Sequence, residues 1–212
     1  MYAMLGSRPD LCNSIRIPSR YQDYASGKLL LFLKRVLRYI KGTFNLKLIY
    51  RKSLNSEFVR GFVNADWGGD VINRKSTTVY CFQIYDCTVS WCSKQQACVA
   101  LSSTEAEYIA LSQCVSEAYW LYNLLAEINT NGCKNFVIPL HEDNQSAIRM
   151  SKSCEQPKRL KHIDVKYHFV QEKVKDGIVH VIYIPSTELV ADLLTKPLGK
   201  VLFEKFRNIM FC

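Results

Sequence analysis

The sequence predicts an α/β domain in which one mixed sheet is covered by helices. Three observations predict it. From about Phe44 to Lys94 the chain holds short runs of β-branched and aromatic residues separated by polar turns. Residues 103–128 then carry apolar positions at helical spacing. After that, strand-like and helix-like stretches alternate to about residue 197.

The first 50 residues differ in texture. "RPDLCNSIRI" reads as a short helix, opened by Pro9 and Asp10 and stopped by Pro18. "GKLLLFLKRVLRYIKG" reads as a stronger helix, with Gly42 as its C′ residue. Leu30, Leu33, Leu37 and Ile40 form its apolar stripe, and Lys34, Arg35, Arg38 and Lys41 lie mostly off it. Such a basic face is either solvated or set against a phosphate backbone. The segment is too short to bury a core of its own, so it docks on the rest of the chain or was cut from something larger.

Strands are expected in "FNLKLIY", "EFVRGFVNAD", "TTVYCFQIYD" and "TVSWCSK". A long helix comes next over residues 103–128, then a strand in "NFVIPLHED" and a short helix from Asn144. A basic loop, "QPKRLK", leads into the helix "HIDVKYHFVQEKVKD", stopped by Gly177. The strand "IVHVIYIP", the helix "ELVADLLTK" and a tail helix over 198–212 complete the chain.

With 28 Lys and Arg against 19 Asp and Glu, the 212-residue chain carries a formal charge of +9. That balance favours polyanions, nucleic acid ahead of anionic membrane. No apolar run reaches the length of a membrane span, and the opening "MYAMLGSRPD" does not read as a signal peptide. The nine cysteines are scattered and never spaced C-x-x-C. Cys81, Cys87, Cys92 and Cys98, the densest group, alternate with strand residues, so reduced thiols are expected rather than a zinc site. His162 and His168, six apart, read as packing or surface groups, and Trp67 and Trp91 as core or sheet-edge aromatics.

The acids carry the chemistry. Positions 107, 111, 114, 118, 121 and 125 share one face of the long helix and read Glu, Leu, Cys, Ala, Leu, Leu. Glu107 therefore opens a stripe that faces the sheet, where a carboxylate needs a partner. Glu105 lies about 200° away around the helix axis. With Ser102 it has capping-box spacing. Asp66 ends a strand, two residues after Asn64. Asp143 ends another strand where a helix opens, and Asp192 comes after the last strand. Singly these are a strand-end acid, an N-cap and a solvated acid. Together, four acids at the mouths of elements in one sheet suit a hard cation, Mg²⁺ or Mn²⁺, and with a basic surface suggest phosphodiester chemistry with two metals.

Five stretches sharpen this: "DWGGDVINRKSTTVY", "VALSSTEAEYIAL", "HEDNQSAI", "LKHIDVKYHFVQEKV" and "YIPSTELVADLLTKPL". In that order, over residues 57–197, the chain resembles the ribonuclease H domain of copia-type retrotransposon Pol polyproteins. Residues 1–52 resemble the C-terminal end of the same family's reverse transcriptase, without its catalytic core. The resemblance implies a ribonuclease H-like fold, a mixed five-stranded sheet flanked by helices, and two Mg²⁺ ions held by Asp, Glu, Asp and Asp. Glu107, Asp143 and Asp192 match the last three of these acids. It implies an RNA/DNA hybrid as partner, with Lys94, Lys158, Arg159, Lys161 and Lys166 near its phosphates. A reverse transcriptase of the same element is a further partner, and the implied location is the cytoplasm, a virus-like particle or the nucleus.

The first acid departs from the pattern. The family reads G-Y/F-x-D-x-D-W-A-G where this chain reads "GFVNADWGG", so Asn64 stands where the first catalytic Asp belongs. Asp66 remains, on the same strand face and roughly 7 Å along. Asn offers a cation one neutral carbonyl oxygen, whereas Asp offers two oxygens and a full charge. Two alternatives stay open: an impaired ribonuclease, and a hybrid-binding or structural remnant without turnover. An integrase-type domain is disfavoured because the helix Glu falls between the Asp residues in sequence.

Overall fold

The computed structural model describes residues 1–24, 26–51, 58–128, 136–153 and 164–211. Its centre is a five-stranded sheet of β1 (Val59–Asp66), β2 (Thr77–Ile84), β3 (Cys87–Gln95), β4 (Ile138–Glu142) and β5 (Val179–Tyr183), in the order β3-β2-β1-β4-β5. The first three strands form an antiparallel meander, and β4 and β5 add in parallel. This is the ribonuclease H-like arrangement that the resemblance implies. The topology sets the site, because β1 and β4 run together and bring their carboxyl ends to one edge. Phe62 lies beside His141, which puts Asn64 level with Asp143.

Helices α4 (Ser103–Ile128), α5 (Gln145–Lys152) and α6 (Asp164–Lys175) cover one face. Their core joins Val63, Ala106, Leu111, Cys114, Ala118, Ile138, Leu140 and Val181. Gly177 ends α6 at φ +69, with the Ile178 N–H on the Lys173 carbonyl and the Gly177 N–H on that of Val174. Those two bonds make a Schellman motif, the ending a glycine at C′ permits.

The other face carries α1 (Tyr2–Gly6), a 3-10 turn (Pro9–Leu11), α2 (Cys12–Ser19), α3 (Gly27–Gly42), α7 (Asp192–Thr195) and α8 (Lys200–Met210). Met4, Leu11, Cys12 and Val36 share one core with Phe62, Val79, Cys81, Leu193 and Phe206. The N-terminal segment therefore docks on the sheet. Arg8 fixes it with a bidentate bond to Asp10 (2.9 and 2.7 Å) and bonds to Thr43, while the Tyr39 hydroxyl donates to Asp10 at 2.7 Å.

Several local expectations need correction. Residues 44–50 form no strand. Leu46 and Leu48 pack on the second core while Phe44 and Tyr50 are exposed, so the alternation records one-sided docking without a pairing partner. On α3 the buried face is Phe32, Val36, Tyr39 and Ile40, whereas Leu30, Leu33 and Leu37 are 55, 38 and 65 % exposed. The helix is apolar over too wide an arc for its sequence to choose a face; the face that packs on the second core also carries the Tyr39 bond to Asp10. Gly42 is the last helical residue and Thr43 the cap, with no positive φ. Pro18 lies inside α2, one residue from its end, where the closing bonds are already the i→i−3 type. Trp67 is 55 % exposed, its Nε1 donating to the Ala100 carbonyl, and Trp91 is half-buried.

Gly61 faces both neighbouring strands. A Cβ there would lie 2.6 Å from Leu140 Cδ2 and 2.6 Å from Phe82 Cε1. Gly61→Ala should therefore destabilise by roughly 1–3 kcal/mol through overpacking, read as a fall in the thermal midpoint. An unchanged midpoint would mean that β1 and β4 are less closely packed than described.

Candidate metal centre

Helix α4 delivers Glu107. Glu107, Leu111, Cys114, Ala118 and Leu121 are all buried against the sheet. Glu105 is also buried, but it serves the helix start. Its N–H donates to Ser102 Oγ (3.2 Å), and its Oε2 accepts from the Leu101 N–H (2.9 Å), one residue further back than a capping box predicts.

Strand β4 and the turn after it deliver two acids. Asn144, not Asp143, caps α5, accepting from the N–H groups of Ser146 and Ala147 at 3.0 Å. That leaves Asp143 available, and Ser186 Oγ donates to its Oδ2 at 2.8 Å. Glu142, not among the acids expected from sequence, is fully buried. The signal for it was present: Ile138, Leu140 and Glu142 alternate, so Glu142 falls on the face beneath α4.

Among the described residues, Glu107, Glu142 and Asp143 bring carboxylate oxygens within 4.8 Å of one another. Glu107 Oε2 and Glu142 Oε2 are buried with no hydrogen-bond partner. Glu107 also accepts from the Ala65 N–H, and Glu142 Oε1 accepts from the Asn144 N–H at 3.0 Å. Burial first, and then the charges of Glu142, Asp143 and Asp192, push the Glu107 carboxyl well above the usual range. Burial likewise raises Glu142, with Asp143 adding to it and the Asn144 N–H opposing it. Crowded buried carboxylates, each with one oxygen that no donor reaches, are costly without a cation or protons. An oxygen-only set of this kind fits a hard divalent cation.

Asp192, at the start of α7, stands beside this group. Its Oδ1 accepts from the Asn64 side-chain amide and its Oδ2 pairs with Lys196 Nζ at 2.8 Å. Burial raises its carboxyl, Lys196 and Asn64 oppose the rise, and the Asp143 charge adds to it. Lys196 was also missed, although it lies four residues beyond Asp192, within reach on a helical turn. Asp66 is directed elsewhere. Its carboxylate abuts Gly69 and lies 3.7 Å from Arg16, at 30 % side-chain exposure. The structure thus groups Glu107 with Asp143 and Asn64 with Asp192, and leaves Asp66 paired to a cation of α2.

Of the expected phosphate-facing groups, Lys94 is exposed near the end of β3 and Lys166 is partly exposed on α6. Lys158, Arg159, Lys161 and His162 lie outside the described residues. The described cysteines, 12, 81, 87, 92, 98 and 114, are all free thiols. Among the described residues no helix is long and apolar enough to cross a membrane.

No family model matches the chain. It is 39 % identical over 210 residues to the retrovirus-related Pol polyprotein from transposon TNT 1-94 of Nicotiana tabacum, covering 99 % of this chain and 15 % of that polyprotein. It is 43 % identical over 121 residues to secreted RxLR effector protein 161 of Plasmopara viticola, covering 57 % of this chain and 84 % of that protein. The N-terminal RNase H domain of a Mycobacterium tuberculosis protein, solved as a fusion with maltose binding protein, superposes with a TM-score of 0.48. That match has 11 % identity and covers 71 % of this chain and 96 % of that one. The chain thus spans about one seventh of the Pol polyprotein it matches.

Proposed function

Because the chain belongs to the retrotransposon Pol polyprotein family and carries the ribonuclease H-like domain of such a polyprotein, we propose that it binds an RNA/DNA hybrid and hydrolyses the RNA strand, at a rate lowered by Asn64. The observation that carries this is the meeting of Glu107, Glu142 and Asp143 beside Asp192 at the carboxyl ends of β1 and β4. Ions and ligands gather at such strand ends in open α/β sheets.

In this reading Glu107, Asp143 and Asp192 are metal-holding and catalytic groups, and Asn64 is a weakened fourth. Bound there, Mg²⁺ or Mn²⁺, two ions in the intact family, would activate water and offset charge on the scissile phosphate. The protein's own part is to hold those oxygens rigidly, with Ser186 fixing Asp143 and the Ala65 N–H fixing Glu107. Lys94, Lys158, Arg159, Lys161 and Lys166 take the hybrid's phosphates, and the products carry 3′-hydroxyl and 5′-phosphate ends. Asp66, paired with Arg16, is the weaker candidate for the missing ligand. Residues 1–52 are the reverse-transcriptase part, and its described residues pack on the opposite sheet face.

A second reading, a hybrid-binding domain without turnover, draws on one observation. The Asn64 amide and Lys196 already satisfy both oxygens of Asp192.

Binding separates a specific surface from a generic one. Hybrid affinity should fall steeply from 50 to 200 mM salt, with a log–log slope of roughly −0.9 per phosphate contact. It should exceed affinity for duplex DNA, because the RNA strand presents 2′-hydroxyls in a wide minor groove. Fluorescence anisotropy with both labelled duplexes reads this directly, and equal affinities would refute hybrid recognition.

A further inference from the structure

We propose that Glu142 is a cation ligand, and that Glu107, Glu142 and Asp143 hold one divalent ion by themselves, apart from the Asn64–Asp192 pair. The proposal rests on the metal-dependent reading above and deepens it.

The acidic cluster has two halves. In one half nothing is lacking: Asp192 has the Asn64 amide on one oxygen and the Lys196 ammonium on the other. In the other half two buried oxygens lack any donor, Glu107 Oε2 and Glu142 Oε2. The Glu107 carboxylate is anchored by the Ala65 N–H, and the Glu142 carboxylate by the backbone N–H groups of Asn144 and Asp143. The groups are therefore held in place with an oxygen to spare. With Asp143 their ligand oxygens lie within 4.8 Å of one another, a span one hard cation bridges.

Strand alternation explains how Glu142 arrives there. It continues the buried face of Ile138 and Leu140, so its position is fixed by the sheet and not by a movable loop. Asn64 removes one carboxylate from β1, and Glu142 adds one on β4, the neighbouring parallel strand. The cluster then counts four carboxylates, Glu107, Glu142, Asp143 and Asp192, with the charge moved sideways by one strand. An ion centred on β4 differs from one bridging β1 and α7, so charge is kept while the geometry for two ions is not.

Mn²⁺ titration of the full, chelator-stripped chain tests this, with bound ion counted by electron paramagnetic resonance and thermal midpoints recorded alongside. The native chain should bind one Mn²⁺ and gain stability from it. Glu142→Gln should weaken binding by more than the roughly 10–100-fold that loss of an outer-shell partner costs. Its midpoint in chelator reports that it is folded. Asn64→Asp should keep the first site and add a second. Native protein that binds no Mn²⁺ would overturn the proposal and leave Glu107 and Glu142 as a proton-sharing pair. Glu142→Gln that binds as native would overturn it too. The functional reading fails separately: if Asn64→Asp binds two ions yet does not cut hybrid, the ligand assignment stands and the nuclease does not.

Discussion

Asn64→Asp is expected to raise divalent-cation-dependent cleavage of the RNA strand by about 10²–10³-fold, the span typical for one preorganised electrostatic group. In the native chain the Asn64 amide donates to Asp192. A carboxylate at position 64 would instead face Asp192 as a like charge, a contact that only a shared cation makes favourable. The same substitution therefore creates the ligand, deletes the amide that holds Asp192, and leaves Lys196 as that carboxylate's one side-chain partner until a cation binds. Hybrid affinity should hardly change, because the basic groups are untouched. Asp143→Asn in the Asn64→Asp background should abolish the gain. Single-turnover rates on a labelled hybrid give both numbers. If Asp66→Asn in the otherwise native chain eliminates an activity already present, position 66 carries the role assigned to position 64.

Arg8→Ala is expected to cost about 3–5 kcal/mol, since it leaves Asp10 buried without its cation. Asp10 is almost wholly enclosed, and Arg8 also reaches the Thr43 carbonyl and hydroxyl at the end of α3. The Arg8 guanidinium lies 6.0 Å from the Phe211 ring, so the same group ties the first residues to the last. For a chain of this size the loss corresponds to a fall of roughly 6–20 °C in the thermal midpoint. Replacing the pair together, Arg8→Met with Asp10→Leu, should recover most of it, because the unpaired charge goes. A near-neutral Arg8→Ala would mean that residues 1–51 are not an integral part of this core.

Periodicity made most of the fold legible. Runs of β-branched and aromatic residues between polar turns marked β1, β2 and β3, and the 26-residue helix α4 stood where its apolar face placed it. The failures share a cause, that one-sided burial looks alike whatever buries it. Leu46 and Leu48 alternate because they dock, not because they pair. On α3, Leu30, Leu33 and Leu37 made as good a stripe as Phe32, Val36 and Tyr39, and contacts with a core drawn from distant parts of the sequence, the Tyr39–Asp10 bond among them, separate the two. At the site, Glu107 was legible because a lone carboxylate interrupts an apolar face. Glu142 carried the same mark at the end of β4, but the neighbouring Asp143, one residue beyond the strand, masks it. Lys196 was not assigned because its role depends on the turn that places Asp192.

The central proposal is that this ribonuclease H-like domain hydrolyses the RNA strand of a hybrid at a rate lowered by Asn64. The most direct measurement is strand-resolved cleavage of an RNA/DNA hybrid, each strand labelled in turn, by the native chain and Asn64→Asp with Mg²⁺ or Mn²⁺. The account predicts cutting of the RNA strand alone, slow in the native chain, fast in the variant and absent in chelator. A variant no faster than the native chain, or cutting that ignores which strand is RNA, would contradict it.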